Sequence, residues 1–246
     1  MKVKSYRCPR LVVATWAQGR SVLRGFWRVA WAHKTAALAA ASVALVLAAW
    51  IMPRDPGLLR SLHFWKHRPE QIAQDVAYAL GTWGDYPTYN VPLAVAIWLY
   101  GVWKKSHAWR RVAVVCFLGA TLAGAFNDCF RLTLGRPRPD AHMLSDGNIF
   151  DEFYGIGYAF KGGYQSFPSG HAASVFGTAV SLLIVCRPLG VLTTFYALAV
   201  VWARMELNRH YPSDVAVGAV IGIYFGAMVG LGSLWRERSL TASAPG

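Results

Sequence analysis

The chain has 246 residues, 55% of them hydrophobic and only 15% charged, whereas a soluble domain carries about 25% charge. With a mean hydropathy of +0.31 and several long apolar runs, this composition excludes an ordinary soluble domain and indicates an integral membrane protein. The net charge of +13 does not mark a nucleic-acid binder, because the basic residues flank apolar runs and form no continuous basic domain.

Residues 1–34 carry eight Lys or Arg and no acid. Leu23, Trp27 and Trp31 recur every four residues, with Val12 and Trp16 upstream on a similar spacing. That pattern predicts a basic amphipathic helix on the membrane surface. Thr35 to Met52 is the first apolar run, closed by Pro53. Residues 54–88 mix charges such as Arg54, Asp55, Lys66, Arg68 and Asp85 with apolar residues, as an interfacial segment does. The second span runs from Tyr89 to Trp103, with a helix start as early as Ala77 also compatible with the sequence. Lys104, Lys105, Arg110 and Arg111 form a basic turn before the third span, Val112 to Phe130.

A long loop, 132–166, then holds acids and aromatics (Phe150, Phe153, Tyr154, Tyr158, Phe160, Tyr164). The aromatics read as an interfacial belt, with a lid as the alternative. Pro168-Ser169-Gly170-His171 opens the fourth span, which reaches Cys186. Ser169 is a candidate N-cap, and a helix start offers free N–H donors to an anion. Leu189 to Ala203 is the fifth span and Val215 to Trp235 the sixth. In the sixth, Gly218, Gly222, Gly226 and Gly230 form one smooth face for close helix packing. The four cysteines, Cys8, Cys116, Cys129 and Cys186, have no metal-ligand spacing and read as small core residues.

These readings give an all-α polytopic membrane protein with six transmembrane helices. Its parts are a basic amphipathic segment 1–34, a six-span domain 35–235 and a short cytoplasmic tail 236–246. Six spans put both termini on one side. Fifteen Lys or Arg lie on that side and ten on the other, so the positive-inside rule places the termini in the cytoplasm. Three polar stretches then share the outer face. They are Arg131 to Pro139 after span three, Pro168 to His171 before span four, and Arg204 to Asp214 between spans five and six.

Singly, each stretch has a bland account: arginines snorkel at helix ends, and Pro212-Ser213-Asp214 suits a helix start. Together they offer guanidinium forks that match phosphoryl oxygens, two histidines able to act as nucleophile or acid, and one carboxylate. Asp128, three residues before Arg131, is placed to pair with it or with another arginine of the group.

The three stretches resemble the signature of the type 2 phosphatidic acid phosphatase superfamily. Its first part is a basic residue, six residues and Arg-Pro; here it is Arg131 to Arg138-Pro139, with Arg in place of the usual Lys. Pro168-Ser169-Gly170-His171 matches the second part in full. Arg204, His210 and Asp214 match the third, with Ala203 where the family has Ser. The resemblance implies that His210 is the nucleophile, that Asp214 orients it and that His171 protonates the leaving oxygen. It also implies that Arg131, Arg138, Arg204, Ser169 and Gly170 hold the phosphoryl group, with no metal and no cofactor.

The expected function is hydrolysis of a lipid phosphate at the extracytoplasmic membrane interface, through a phosphohistidine. The resemblance to bacterial members implies an inner-membrane protein with its site facing the periplasm. Isoprenyl diphosphates, phosphatidylglycerol phosphate and lipid A are the implied substrate types. The partners are the lipid substrate and membrane lipids, with no nucleic acid. Two rivals are a phosphotransferase using the same histidine and a non-catalytic anion-binding transporter or scaffold. Transport sites sit near the midplane on broken helices, whereas these motifs cluster at span ends.

Overall fold

A computed structural model describes residues 8–62, 70–140, 153–161 and 163–241. Among the described residues every regular element is helical: α1 Cys8–Ala32, α2 Lys34–Ile51, α3 Asp55–Leu62, α4 Glu70–Trp83, α5 Val91–Trp103, α6 His107–Leu134, α7 Ile156–Ala159, α8 Gly170–Val185, α9 Arg187–Glu206 and α10 Pro212–Thr241. Of the residues singled out above, Lys66, Arg68 and Phe150 lie outside the described ones, as do 242–246 of the tail.

Among the described residues four segments are long and apolar enough to cross a membrane: Lys34–Ser61, His107–Leu134, Arg187–Glu206 and Pro212–Leu234. The two other expected spans are shorter. α5 has 13 residues and α8 has 16, which at 1.5 Å per residue give about 20 and 24 Å against a hydrocarbon core of about 30 Å. α5 is lengthened at its start by a π-helical stretch, Tyr86–Asn90. No helix runs through from Ala77: α4 stops at Trp83, and the Asp85 carboxylate accepts from the Tyr86 N–H to open a new segment.

The helix ends follow local chemistry. Ser106 caps α6 by accepting from the Trp109 N–H, and Gly135 closes that helix with φ of 64°, a conformation that favours glycine. Ser169 caps α8 by accepting from the Ala172 N–H, as its position predicts. Pro188 stands in the first turn of α9, so that helix opens at Arg187, ahead of the expected start at Leu189.

α8 is the centre of the bundle, with Ala172, Ala173, Val175, Ala179 and Leu182 fully buried. α10 approaches it through the predicted glycine face. A Cβ at Gly218, Gly222 or Gly226 would lie 2.5, 2.5 or 2.7 Å from the carbonyl oxygens of Ser169, Ala173 and Gly177. On the other side Gly119 of α6 meets Gly177 backbone to backbone. Apolar burial gives little drive between helices in lipid, so backbone approach and internal polar pairs carry the packing. One such pair is Asn90 Nδ2 donating to Thr178 Oγ1 at 2.7 Å.

α1 docks on this bundle. Val22, Phe26 and Val29 pack with Val115, Met228 and Val229, and a Cβ at Gly25 would fall 2.0 Å from the Gly232 oxygen. The docking face is therefore not the Leu23-Trp27-Trp31 repeat; Trp16, Trp27 and Trp31 stay exposed. Cys116 is buried as expected, but Cys129 is exposed and donates to the Ala125 carbonyl at 3.4 Å.

Candidate active site

One end of the bundle gathers the C-terminus of α6, the 135–140 segment, the first turn of α8, and the junction of α9 with α10. The sequence brings them together through short backbone ties. The Arg138 N–H donates to the Gly163 carbonyl at 2.7 Å, Ser166 N–H to Arg136 O at 3.0 Å, and Ser169 N–H to Asp214 O at 3.0 Å. Asn127 Nδ2 donates to the Pro168 carbonyl at 3.0 Å, fixing the Pro-Ser-Gly-His turn on α6. Asp140 N–H donates to Asn208 O at 2.9 Å. Arg209 then pairs with the Asp140 carboxylate at 2.6 Å, so the first motif is strapped to the third.

His210 sits inside this frame, 1% exposed. Its Nδ1–H donates to the Ser166 carbonyl at 2.8 Å. A carbonyl can only accept, so the neutral ring carries its lone pair on Nε2. Burial is the main cause that pushes the His210 pKa down to about 4, against an upward pull from Asp214. The ring is thus an uncharged base at neutral pH. His171 lies beside it, with ring centroids 6.3 Å apart.

Asp214 has a different arrangement from a direct carboxylate–imidazole hydrogen bond. Its Oδ2 lies 3.7 Å from His210 Nδ1. That oxygen accepts from Ser166 Oγ at 2.5 Å and from the Tyr211 N–H at 2.8 Å. Its Oδ1 accepts from Arg136 Nη1 at 2.5 Å. Asp214 therefore grips the two residues whose backbones position His210, Ser166 and Tyr211.

The motif arginines are present at the same end. Arg131, Arg138 and Arg204 each bury an Nε–H that has no acceptor among the described residues. Such donors are costly unless an oxygen answers them. Burial, then the neighbouring Arg209, hold the Arg138 pKa below its ordinary value. Gly170 stands close to this group: a Cβ there would lie 3.4 Å from Arg131 Nη1. Arg131 pairs with Asp128 at 3.0 Å, as the spacing predicts, while Asp128 also keeps 44% of its side chain exposed. His171, Gly170 and Arg131 line a pocket of about 280 Å³ together with Asp85 and Asp128.

Four contributors were given no role at the site by the sequence. Arg136 is fully buried. It donates to Asp214, to Ser213 Oγ at 2.8 Å and to Asp55 Oδ2 at 2.9 Å, and it stacks on Tyr211 at 4.6 Å. Asp55, also fully buried, accepts from the Ser213 N–H at 2.9 Å and from its hydroxyl. It thereby caps the start of α10. Ser166 supplies both the carbonyl under His210 and a hydroxyl to Asp214. Asp85 faces His171, its Oδ1 3.6 Å from Nε2. Asp55 and Asp85 showed only as charge in a segment read as interfacial, Arg136 lay unassigned inside the first motif stretch and Ser166 at the end of the long loop; their partners are far away along the chain.

The family model of the PAP2 superfamily matches residues 112–237. The chain belongs to the PAP2 superfamily. All three motif stretches fall within the matched PAP2 region, whereas Asp55 and Asp85 lie before it. Among curated proteins, the chain is 33% identical over 141 residues to a lipid A 4′-phosphatase of Bacteroides thetaiotaomicron, covering 55% of this chain and 60% of that one. It is 32% identical over 131 residues to a decaprenylphosphoryl-5-phosphoribose phosphatase of Mycobacterium tuberculosis, covering 53% and 66%. An Escherichia coli protein with the provisional name undecaprenyl-diphosphatase is 26% identical over 156 residues, covering 63% and 72%. The chain thus spans less than two thirds of the length of the Bacteroides relative. No solved structure matches the chain at a significant level. Membership, the apolar helices and these phosphatase relatives make this a membrane protein of a lipid phosphatase family.

Proposed function

We propose that this PAP2 protein is a metal-independent phosphatase that removes phosphate from a lipid phosphomonoester or diphosphate through a phosphohistidine on His210. The observation that carries this reading is the setting of His210. It is buried and neutral, and its Nδ1–H is committed to the Ser166 carbonyl, which leaves Nε2 free to attack.

In this reading the Nε2 lone pair forms the N–P bond as the bond to the leaving oxygen breaks. His171, protonated beside the bound phosphate dianion, gives its Nε2 proton to that oxygen and becomes the neutral ring. Arg131, Arg138 and Arg204, with Ser169 and the Gly170 N–H at the start of α8, hold the three phosphoryl oxygens. Water then attacks phosphorus, His171 takes the water's proton, and His210 is released. Asp214 acts on His210 through Ser166, Tyr211 and its own nearby charge.

The remaining finer assignments are proposals of the same kind. α5 and α8 cross the membrane with the four longer segments, making six spans. The termini are cytoplasmic, and the site faces the periplasm of a bacterial inner membrane. The support is the basic-residue asymmetry and the placement of the motifs at one end of the bundle. Isoprenyl diphosphate, phosphatidylglycerol phosphate and lipid A types all fit the PAP2 relatives by name or chemistry.

The test is phosphate release from lipid phosphates by purified protein, with and without EDTA. Wild type should turn over in both conditions. His210→Ala should lose turnover while keeping its thermal transition. Retained release in that variant, or loss on adding EDTA, would refute the reading.

A further inference from the structure

α1 has two faces of different chemistry. Val22, Gly25, Phe26 and Val29 lie on the side docked against α6 and α10. On the opposite side Trp16, Trp27 and Trp31 fall within an arc of about 60°, with Arg20, Arg24 and Arg28 in an overlapping arc of about 80°, at 3.6 residues per turn. All six side chains are exposed. The Arg20 guanidinium lies over the Trp16 ring at 3.9 Å. At the adjoining corner Trp98 Nε1 donates to Thr15 Oγ1 at 3.1 Å, and five residues on, exposed Trp103 carries the Lys104 ammonium 4.2 Å above its ring.

The helix sits at the end of the bundle remote from the candidate active site. Gln18 Nε2 donates to the carbonyl of His107 at 3.2 Å, at the first residue of α6, whose last turn carries Arg131. Gly25 meets Gly232, two residues before the end of the span Pro212–Leu234, while Asp214 stands in the first turn of that helix. α1 then feeds α2 through a break at His33, and α2 leads up toward Asp55. Each route covers roughly 20 residues of helix, about 30 Å at 1.5 Å per residue, which is the thickness of a hydrocarbon core. α1 therefore lies at the level of the other membrane interface.

Its exposed face has the chemistry of that level. Indole rings settle among lipid headgroups. Arginine forks match phosphate oxygens and stay charged. No acid precedes Asp55 in the chain, so neither α1 nor α2 offers these guanidiniums a carboxylate. A zwitterionic lipid brings its own ammonium against the arginines, whereas an anionic one leaves its charge for them.

We propose that the Trp–Arg face of α1 is a binding surface for anionic phospholipid headgroups in the leaflet opposite the candidate active site. The surface holds α1 on α10 from outside, so lipid bound there stabilises the bundle. This inference stands apart from the phosphatase reading, because none of its residues belongs to the three motifs.

The experiment follows thermal unfolding of the full chain in neutral-detergent micelles titrated with phosphatidylglycerol or with phosphatidylcholine. Saturating phosphatidylglycerol should raise the wild-type Tm about 5 °C or more beyond phosphatidylcholine. Going from about 0.05 M to about 0.5 M NaCl should remove most of that difference, because exposed charges are screened. Arg20→Gln with Arg24→Gln should keep the Tm in phosphatidylcholine and need at least about tenfold more phosphatidylglycerol for the same rise. Arg20→Lys with Arg24→Lys keeps the charge and should stay within about threefold of wild type. Equal shifts by the two lipids, as a face for a neutral partner would give, would overturn the proposal. So would a lipid difference that salt leaves intact. A Gln pair that responds like wild type would also overturn it and place the lipid elsewhere, at the motif end included. The salt arm uses wild type alone, so it decides the matter even where the Gln pair fails to fold.

Discussion

Asp55→Ala tests whether the proposed nucleophile, His210, depends on a carboxylate that lies before the matched PAP2 region. Asp55 is fully buried and takes three hydrogen bonds, from Arg136 Nη2, the Ser213 N–H and the Ser213 hydroxyl. Truncation removes one carboxylate from a buried charge cluster, a change that costs about 3–5 kcal/mol. It also uncaps α10, worth about 1 kcal/mol. The new space relaxes in part, so a total of about 4 kcal/mol is the working figure. For a chain of this size that is a drop of roughly 8–16 °C in Tm. Arg136 would lean fully on Asp214, pulling it from Ser166 and Tyr211, so kcat should fall at least about tenfold with KM little changed. Asp55→Asn keeps an acceptor for Ser213 and should lose about half as much stability. The assay is thermal unfolding in detergent together with phosphate release. Asp55→Ala with a Tm within about 2 °C of wild type and unchanged kcat would refute the argument.

Other expectations follow from the same geometry. His210 is held down to about 4 by burial against an ordinary value of 6.5. The unfolded chain therefore binds its proton first, so stability is full above pH 6.5 and falls as pH drops toward 4, by about 3 kcal/mol. Unfolding measured at pH 7.5 and 4.5 should show a smaller acid loss in His210→Gln than in wild type. Gly218→Ala places a Cβ 2.5 Å from the Ser169 carbonyl oxygen; phosphate release should fall at least about tenfold while helical circular dichroism is kept. Arg209→Ala breaks a half-exposed pair with Asp140, so Tm should move by no more than about 1 kcal/mol-equivalent, while kcat falls several-fold because the strap across the motifs is cut. A reporter active only outside the cytoplasm should be silent after Ser239 and active when inserted near Gly147.

How much of this was legible in the sequence depends on how far apart the partners are. The Ser169 cap, the Asp128–Arg131 pair and the Gly218-Gly222-Gly226 face are local patterns, each set within one helix or one turn, and all three stand in the structure. The three motif stretches were legible because their residue types and spacing are distinctive, and the bundle does bring them to one end. Asp55 was read only as interfacial charge, because its partner Ser213 lies 158 positions away. Arg136 and Arg138 occupy the same Arg-Pro repeat, and nothing in the letters says that Arg136 turns into the core. The span count is less legible because α5 and α8 are short and polar residues such as Asn90 and Thr178 satisfy each other inside the bundle. The Leu23-Trp27-Trp31 repeat marked the exposed face of α1, since the Gly25–Gly232 contact, invisible to periodicity, selects the docking side.

The charge arrangement also bears on the proposed role of Asp214, 3.7 Å from His210. With both carboxylates ionised, Asp55 and Asp214 share the buried cation Arg136, and His210 is neutral. The cluster therefore holds one excess negative charge beside an uncharged ring. In the proposed covalent step, phosphorylation at Nε2 leaves the proton on Nδ1 and makes the ring cationic. The excess charge is then matched within the same buried volume, where it counts for far more than in water. A direct hydrogen bond from Asp214 would add orientation, but the Ser166 carbonyl already supplies it. In the proposed mechanism the division is physical: a backbone oxygen fixes the tautomer, while the carboxylate pair waits for the charge that would appear only as the N–P bond forms.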